Sequence, residues 1–374
     1  MKDELKMGFR SLVYRRKQYI SLFLVCFFGV GVSLFCLYSI NGMLSALEDK
    51  ARIYYGGDLQ FLGGNGLTQP VSNVELLAPF FPEDAVIAER FDLDADYATF
   101  YFEGNGVRQR IIKGVNFAKE KELFSKFNYA EGSAEGIEGT NGVLLSEPIA
   151  KMLEVKAGDE ITLMLRTKKR QINTIPLTVK GIFRDSSLFG MYTSYMDRVV
   201  LSKAYGFSVK KCNRISIMLP DGTPDKNQLE EYQSALSEAF TMYPLVEDKQ
   251  EYYNECIYAK NYTGEQPYAL IKLSANLQEI QIIIDAMRLI ISFVIIMLLI
   301  IIVTGISSTF RVIAMKRINE IGIYKAIGMK RIKIYKMLLT ETFILIVAGC
   351  LTGYVFSCLL PMQMPPTMFT VPMP

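Results

Sequence analysis

LIISFVIIMLLIIIVTGISSTF, residues 289–310, contains no Asp, Glu, Lys or Arg. At about 1.5 Å per residue, a helix of that length spans the roughly 30 Å hydrocarbon core of a bilayer. Continuous uncharged apolar runs this long are rare inside soluble proteins. Two further stretches lack all four residue types, 18–47 before it and 342–374 after it. The first reads as an anchor rather than a signal peptide, because its apolar core outruns the usual length of roughly 7 to 15 residues and no A-x-A-like site closes it. The sequence therefore predicts a multi-pass α-helical membrane protein with spans at 18–47, 289–310 and 342–360.

Short flanks rich in Lys and Arg stay on the cytoplasmic side during insertion. Lys2, Lys6, Arg10, Arg15, Arg16 and Lys17 precede the first span, and Arg311, Lys316, Arg317, Lys325, Lys330, Arg331, Lys333 and Lys336 lie between the second and third. Both flanks are thus expected inside, which gives a cytoplasmic N-terminus. Residues 1–17 also carry Leu5, Phe9, Leu12 and Val13 at helical spacing, as in an amphipathic helix lying on the inner membrane surface. The segment from Glu48 to Met287 holds 26 Lys and Arg against 34 Asp and Glu, a net of −8, so the overall +3 conceals a basic inside and an acidic outside.

That large segment reads as an inserted α+β extracytoplasmic domain over 48–270. Strand-like runs fall at 58–62, 107–115, 160–165, 175–183 and 214–219, with a hairpin turn at Glu103-Gly104-Asn105-Gly106. Helices are expected at 146–155, capped by Ser146 and stopped at Gly158, and at 227–241. Next, Leu273, Leu277, Ile280, Ile284 and Met287 recur at alternating intervals of four and three, the period of a coiled-coil seam. They predict a stalk helix over 271–288, with Leu44, Leu47 and Ala51 as its partner face.

The chain has no histidine. A Ser-His-Asp triad, a Cys-His pair and a His-ligated zinc site are therefore excluded. Of six cysteines, Cys26, Cys36, Cys350 and Cys358 fall in the apolar spans; Cys212 and Cys256 fall in the outer domain, with a bridge between them left open. Asp92, Asp94 and Asp96 alternate along a strand-like run and read as a solvated face rather than paired catalysts. No G-x-x-x-x-G-K-[ST] phosphate loop is present, so the chain is not expected to be an ATPase.

The inner loop, 311–341, reads RVIAMKRINEIGIYKAIGMKRIKIYKMLLTE. It closely resembles the FtsX-like permeases, the family of MacB-type and lipoprotein-releasing ABC transporter subunits, in which a basic stretch is followed by E-I-G-x-x-[KR]-A-[IL]-G. The match falls on Glu320, Ile321, Gly322, Lys325, Ala326, Ile327 and Gly328, with Arg317 in the basic stretch before them. The resemblance implies an ATPase-coupling loop over 311–341. Glycine and alanine allow close approach there, and Glu320 and Lys325 are available for ionic contacts across an interface. YYGGDLQ, VLLSEPIAKMLEVKAGDEITLML and VKGIFRD resemble parts of the family's extracytoplasmic core domain, with Gly57, Asp58, Ser146, Ala150, Leu153, Gly158, Asp159, Gly181, Ile182 and Phe183 in architectural places. Gly349, Gly353 and Ser357 form a small-xxx-small face in the third span, suited to close helix packing within or between subunits.

The resemblance implies a permease of the bacterial cell (inner) membrane that binds no cofactor itself and uses ATP through a cytoplasmic ABC ATPase subunit. It further implies a second permease copy or paralogue, an adaptor or wall-hydrolase partner, and no nucleic acid. Export or lipoprotein and peptide handling by mechanotransmission is the expected role. The alternative is a signalling or regulatory protein controlling a cell-wall hydrolase or an antimicrobial-peptide response. Family members have a fourth span, so a chain ending at Pro374, in an outer tail over 361–374, is expected to be truncated.

Overall fold

The computed structural model describes residues 16–185, 189–258 and 265–363. The expected surface helix over 1–17 and the tail over 361–374 lie almost wholly outside them. In chain order the first elements are α1 (Arg16–Tyr55), β1 (Leu59–Gly64), β2 (Gln69–Pro70), α2 (Asn73–Leu77), β3 (Val86–Phe102), β4 (Asn105–Val115), α3 (Lys121–Ser125), β5 (Tyr129–Gly132), β6 (Gly142–Ser146) and α4 (Glu147–Leu153). There follow β7 (Glu160–Arg166), β8 (Ile172–Phe183), β9 (Thr193–Asp197), α5 (Arg198–Tyr205), β10 (Lys211–Cys212), β11 (Arg214–Met218), α6 (Lys226–Leu236), α7 (Lys249–Cys256) and β12 (Gln266–Lys272). The chain then runs through α8 (Leu273–Asn276), α9 (Gln278–Lys316), α10 (Ile318–Ala326) and α11 (Arg331–Gln363). Two compact units result among the described residues, a helical one from residues 16–45 and 283–363 and an α+β one over 46–282.

Among the described residues, three helices are long and apolar enough to cross a membrane, Ile20–Tyr55, Asp285–Lys316 and Arg331–Leu359. Glycines set their approach. A Cβ on Gly353 of α11 would lie 2.6 Å from the Phe27 carbonyl oxygen of α1, and one on Gly349 would lie 2.8 Å from the Cys26 Cβ. Ser357 is fully buried and donates to the Tyr354 carbonyl. Gly349 and Gly353 thus pack against α1 of the same chain, as dispersion contact between backbones requires. Leu22, Ile313 and Leu345 close the contact at the other end. On α9, by contrast, Leu289, Phe293, Ile296, Ile300 and Val303 stay exposed.

Two of the hydrophobic cores of the α+β unit line its sheet. In one, β12, β1, β11 and the start of β3 form an antiparallel sheet with Leu59 opposite both Ile217 and Lys272. Leu59, Phe61, Ile215, Ile217, Leu229 and Leu236 fill the space beneath α6. In the other, β3 continues into β4, and the neighbours β4, β9, β6, β8, β7 and again β3 close a six-stranded ring. Its interior is apolar and includes Phe91, Leu93, Phe100, Ile112, Val143, Leu163, Leu177, Val179 and Met196, with α4 and α5 packed on them. Closure leaves these strands no free edge. Where the chain enters the barrel and leaves it, Asn213 accepts from the Asp92 amide at 3.0 Å and donates to the Asp92 carbonyl at 2.7 Å.

Several expectations are corrected. Ser146 precedes a helix, but its hydroxyl donates to the Met191 carbonyl instead of capping, and the helix ends in Glu154 at φ +60° rather than at Gly158. The stalk is not one helix over 271–288: β12 runs to Lys272, α8 is a single turn, and Leu277 separates it from α9. Leu273 and Leu277 nevertheless pack with Ala51 and Leu47 in one apolar cluster, because the end of β12 brings them there. The side chains of Ile280 and Ile284 lie outside the described residues, and Met287 is half-buried. Cys212 and Cys256 are both free thiols, buried in different cores. Asp92 is no solvated residue: it is buried and paired with Lys113. Asp94 is exposed, and the Asp96 side chain lies outside the described residues.

Candidate functional site

The loop between the second and third apolar helices folds into α10. Its N-terminal corner is Arg317, whose φ of −102° and ψ of 10° break the helical run after Lys316. Gly328 closes the other end. At φ +90° it sits in the left-handed region, its amide donates to the Lys325 carbonyl, and the Met329 amide donates to the Tyr324 carbonyl. Glycine suits this C-terminal position because a Cβ would be strained there.

Arg317 does not project from the loop. It is only 2 % exposed, and its guanidinium donates to the Glu341 carboxylate of α11, itself fully buried, through two nitrogens. Its Nε donates to Glu320 at 3.3 Å. Arg317 and Glu320, expected at a partner interface, are thus turned into the chain's own ion pairs. A buried guanidinium needs such partners, because an unpaired charge out of water is costly. Glu341, read from sequence as a loop boundary, is the residue that reasoning missed. The only available signal was that Glu341 is the last charge before the third apolar run.

Motif positions Gly322, Ala326 and Ile327, together with Ile323 at an unmatched position between them, form the outer face. Gly322, Ile323, Ala326 and Ile327 follow the i, i+1, i+4, i+5 pattern that shares one side of a helix, and all four are exposed. Ile323 is 58 % and Ile327 78 % exposed, and nothing lies within 4 Å of a Cβ built on Gly322. Lys325 is exposed beside them, while Ile321 is half-buried. A small-residue apolar face ringed by cations can receive another protein surface closely.

A second cluster fixes the end of α1 within the α+β unit. Gly56 and Gly57 both donate to the Arg52 carbonyl, and Gly57 holds φ +152°, where a Cβ would overlap the Ile217 carbonyl. Asp58 accepts from Arg52 at 2.6 Å, the Leu219 amide at 2.9 Å and Thr223 at 3.1 Å. Arg90, fully buried, grips Glu120 with two nitrogens at 2.8 and 2.7 Å and donates a third bond to the Tyr54 carbonyl. That bond satisfies one of the orphan carbonyls at a helix C-terminus.

Beside it, Lys113 donates to Asp92 at 2.6 Å and lies 3.8 Å from the Tyr54 ring centroid. Burial lowers Lys113 to about 7, against the pull of Asp92, with Arg214 and Arg90 adding to the lowering. Burial favours neutral Asp92, yet Lys113, Arg214 and Arg90 together hold its carboxyl below the usual range. These ions hold a joint together; among the described residues no cluster of acids and cysteines has the makings of a metal site.

Residues 289–373 match the family model for the FtsX-like permease C-terminal domain. This segment contains the loop string, α10 and all but the first turns of α9. No curated protein matches. Among solved structures, the chain is similar to the periplasmic region of MacB from Actinobacillus actinomycetemcomitans, at 10 % identity and a TM-score of 0.37, over 60 % of this chain and 92 % of that one.

Proposed function

We propose that this chain is the membrane subunit of an ABC-type transporter, in which a separate cytoplasmic ATPase docks on α10 and drives the outer domain through the long helices. The observation that carries the reading is the division of labour within one FtsX-like motif. Arg317 and Glu320 are spent on holding the loop to α11, whereas Gly322, Ile323, Ala326 and Ile327 remain open. ATP is bound by the partner, and this chain supplies the receiving surface.

The loop lies in the cytosol, as its Lys and Arg content favours. A second copy or a paralogue covers the exposed apolar length of α9, and the substrate is handled outside by the acidic domain. The joint formed by Arg52, Asp58, Arg90 and Glu120 gives α1 a firm grip on that domain, which suits the transfer of force better than the lining of a pore.

The test is co-purification with candidate ABC ATPase subunits co-expressed with this chain. Ile323→Glu/Ile327→Glu is expected to abolish co-purification and permease-stimulated ATP turnover while leaving expression intact, since each change plants an unpaired charge in the apolar contact. Undiminished binding and turnover would remove the coupling assignment.

A further inference from the structure

The outside wall of the barrel carries a patch that the transport reading does not use. Strand register places Arg166 of β7 opposite Ile172 of β8, and Thr99 of β3 opposite both Arg108 of β4 and Met164 of β7. Tyr97, two residues before Thr99, is 59 % exposed with the guanidinium carbons of Arg166 and Arg108 at 4.9 and 5.8 Å from its ring centroid. Tyr101 on the same wall is 40 % exposed and Ile172 is 74 % exposed. The hairpin turn joining β7 and β8 adds Lys168, Lys169 and Arg170, all exposed.

Two features set this hairpin apart. Arg170 holds φ +64°, a conformation that favours glycine or asparagine, so a cation stands where the backbone would prefer a smaller residue. The cations also run against the domain's acidic balance, with Glu160 at the far end of β7, Glu103 in the β3–β4 turn and Asp94 beside the bulge as exposed acids on the same strands. Cations alone would suit any polyanion. Ile172 and the two tyrosines are what the boundary between headgroups and acyl chains accepts, apolar tips ringed by Lys and Arg.

We infer that the β7–β8 hairpin and the adjoining barrel wall form a peripheral docking surface for an anionic phospholipid membrane, with Ile172 inserted and Arg166, Lys168, Lys169 and Arg170 on the phosphates. Cation attraction to such a surface is additive and screened by salt.

The chain has no tryptophan, so Ile172→Trp introduces a single reporter. Full chain carrying this change, held in phosphatidylcholine nanodiscs, is mixed with vesicles of brominated phosphatidylcholine and phosphatidylglycerol in equal parts. Emission is expected to fall at least about twofold, to recover in high salt, and to be unaffected by pure brominated phosphatidylcholine vesicles. Leu76→Trp, exposed elsewhere in the same domain, reports on nonspecific collision and is expected to stay bright. Adding Lys168→Glu/Lys169→Glu/Arg170→Glu to Ile172→Trp is expected to abolish quenching with the domain's melting temperature unchanged. Equal quenching at 76 and 172, quenching that survives the triple reversal, or no quenching would each overturn the assignment. Salt-sensitive binding of soluble polyphosphate without vesicle quenching would replace the membrane with a soluble polyanion.

Discussion

Arg317 illustrates how a residue can be located by its string and misread in its role. The motif singled it out as part of a contact with another protein, yet its guanidinium is committed to Glu341 and Glu320 inside the chain. Removing one member of a buried pair strands the other, so Arg317→Met alone should destabilise the helical unit by about 3–5 kcal/mol. Arg317→Met/Glu341→Leu should recover most of that loss, because two apolar side chains of similar volume leave no orphan charge. Loss of ellipticity during SDS titration in mixed micelles checks both. A double variant no better than the single one would show that the pair is not the unit that matters.

Lys113 makes a pH-dependent prediction at the same scale. Burial lowers its ammonium to about 7, whereas in the unfolded chain it titrates in the ordinary lysine range. Between those values the unfolded state binds the extra proton, so stability rises with pH across that window and the gain is absent below it. The outer domain's melting temperature should therefore climb between about pH 7 and pH 10, by the equivalent of roughly 2–4 kcal/mol. Lys113→Met should flatten the climb. Asp92, held low, stays ionised throughout and leaves the slope unaltered. Nothing in the sequence advertised this group, since Lys113 and Asp92 meet only through strand register, 21 positions apart in the chain.

At the scale of elements, the third apolar run was legible both as a long apolar helix and as a packing surface. Gly349 and Gly353 repeat every fourth residue, and that spacing brings them to one side of α11, against α1. Gly353→Val should overpack this contact and cost about 1–3 kcal/mol, since the nearest atoms are backbone and cannot swing aside. The expected readout is a lower SDS midpoint with unchanged melting of the outer domain. The stalk was less legible. Its heptad-like spacing is real in the sequence, but β12 claims the chain up to Lys272, and sheet pairing with β1 outweighs helical periodicity. Strands β4, β7, β8 and β11 were foreseen nearly to their ends because alternation or apolar runs mark them. β3 was read only as a strand-like alternation around Asp92, Asp94 and Asp96, taken as solvated; its length and its burial on both faces near Asp92 come from the sheet.

For the whole molecule, composition separated the apolar helices from the acidic domain without ambiguity, since charge-free runs are a local property. The barrel was not legible, because its closure depends on β3 meeting β7 and on parallel pairs such as β6 with β8, none of which leaves a trace in neighbouring residues. The proposed coupling loop was half legible: the motif located the loop, and burial then sorted its members into those that are paired within the chain and those that stay open.

Asn213 has a consequence for how such a molecule changes over generations. By clasping the backbone of Asp92 from the far side of more than a hundred residues, it brings together the points where the chain enters and leaves the barrel. Everything between them behaves as a cassette plugged into a single socket. A different insert, larger, smaller or of another specificity, could be grafted at that socket provided it supplied a carboxylate in place of Glu120 for the buried Arg90.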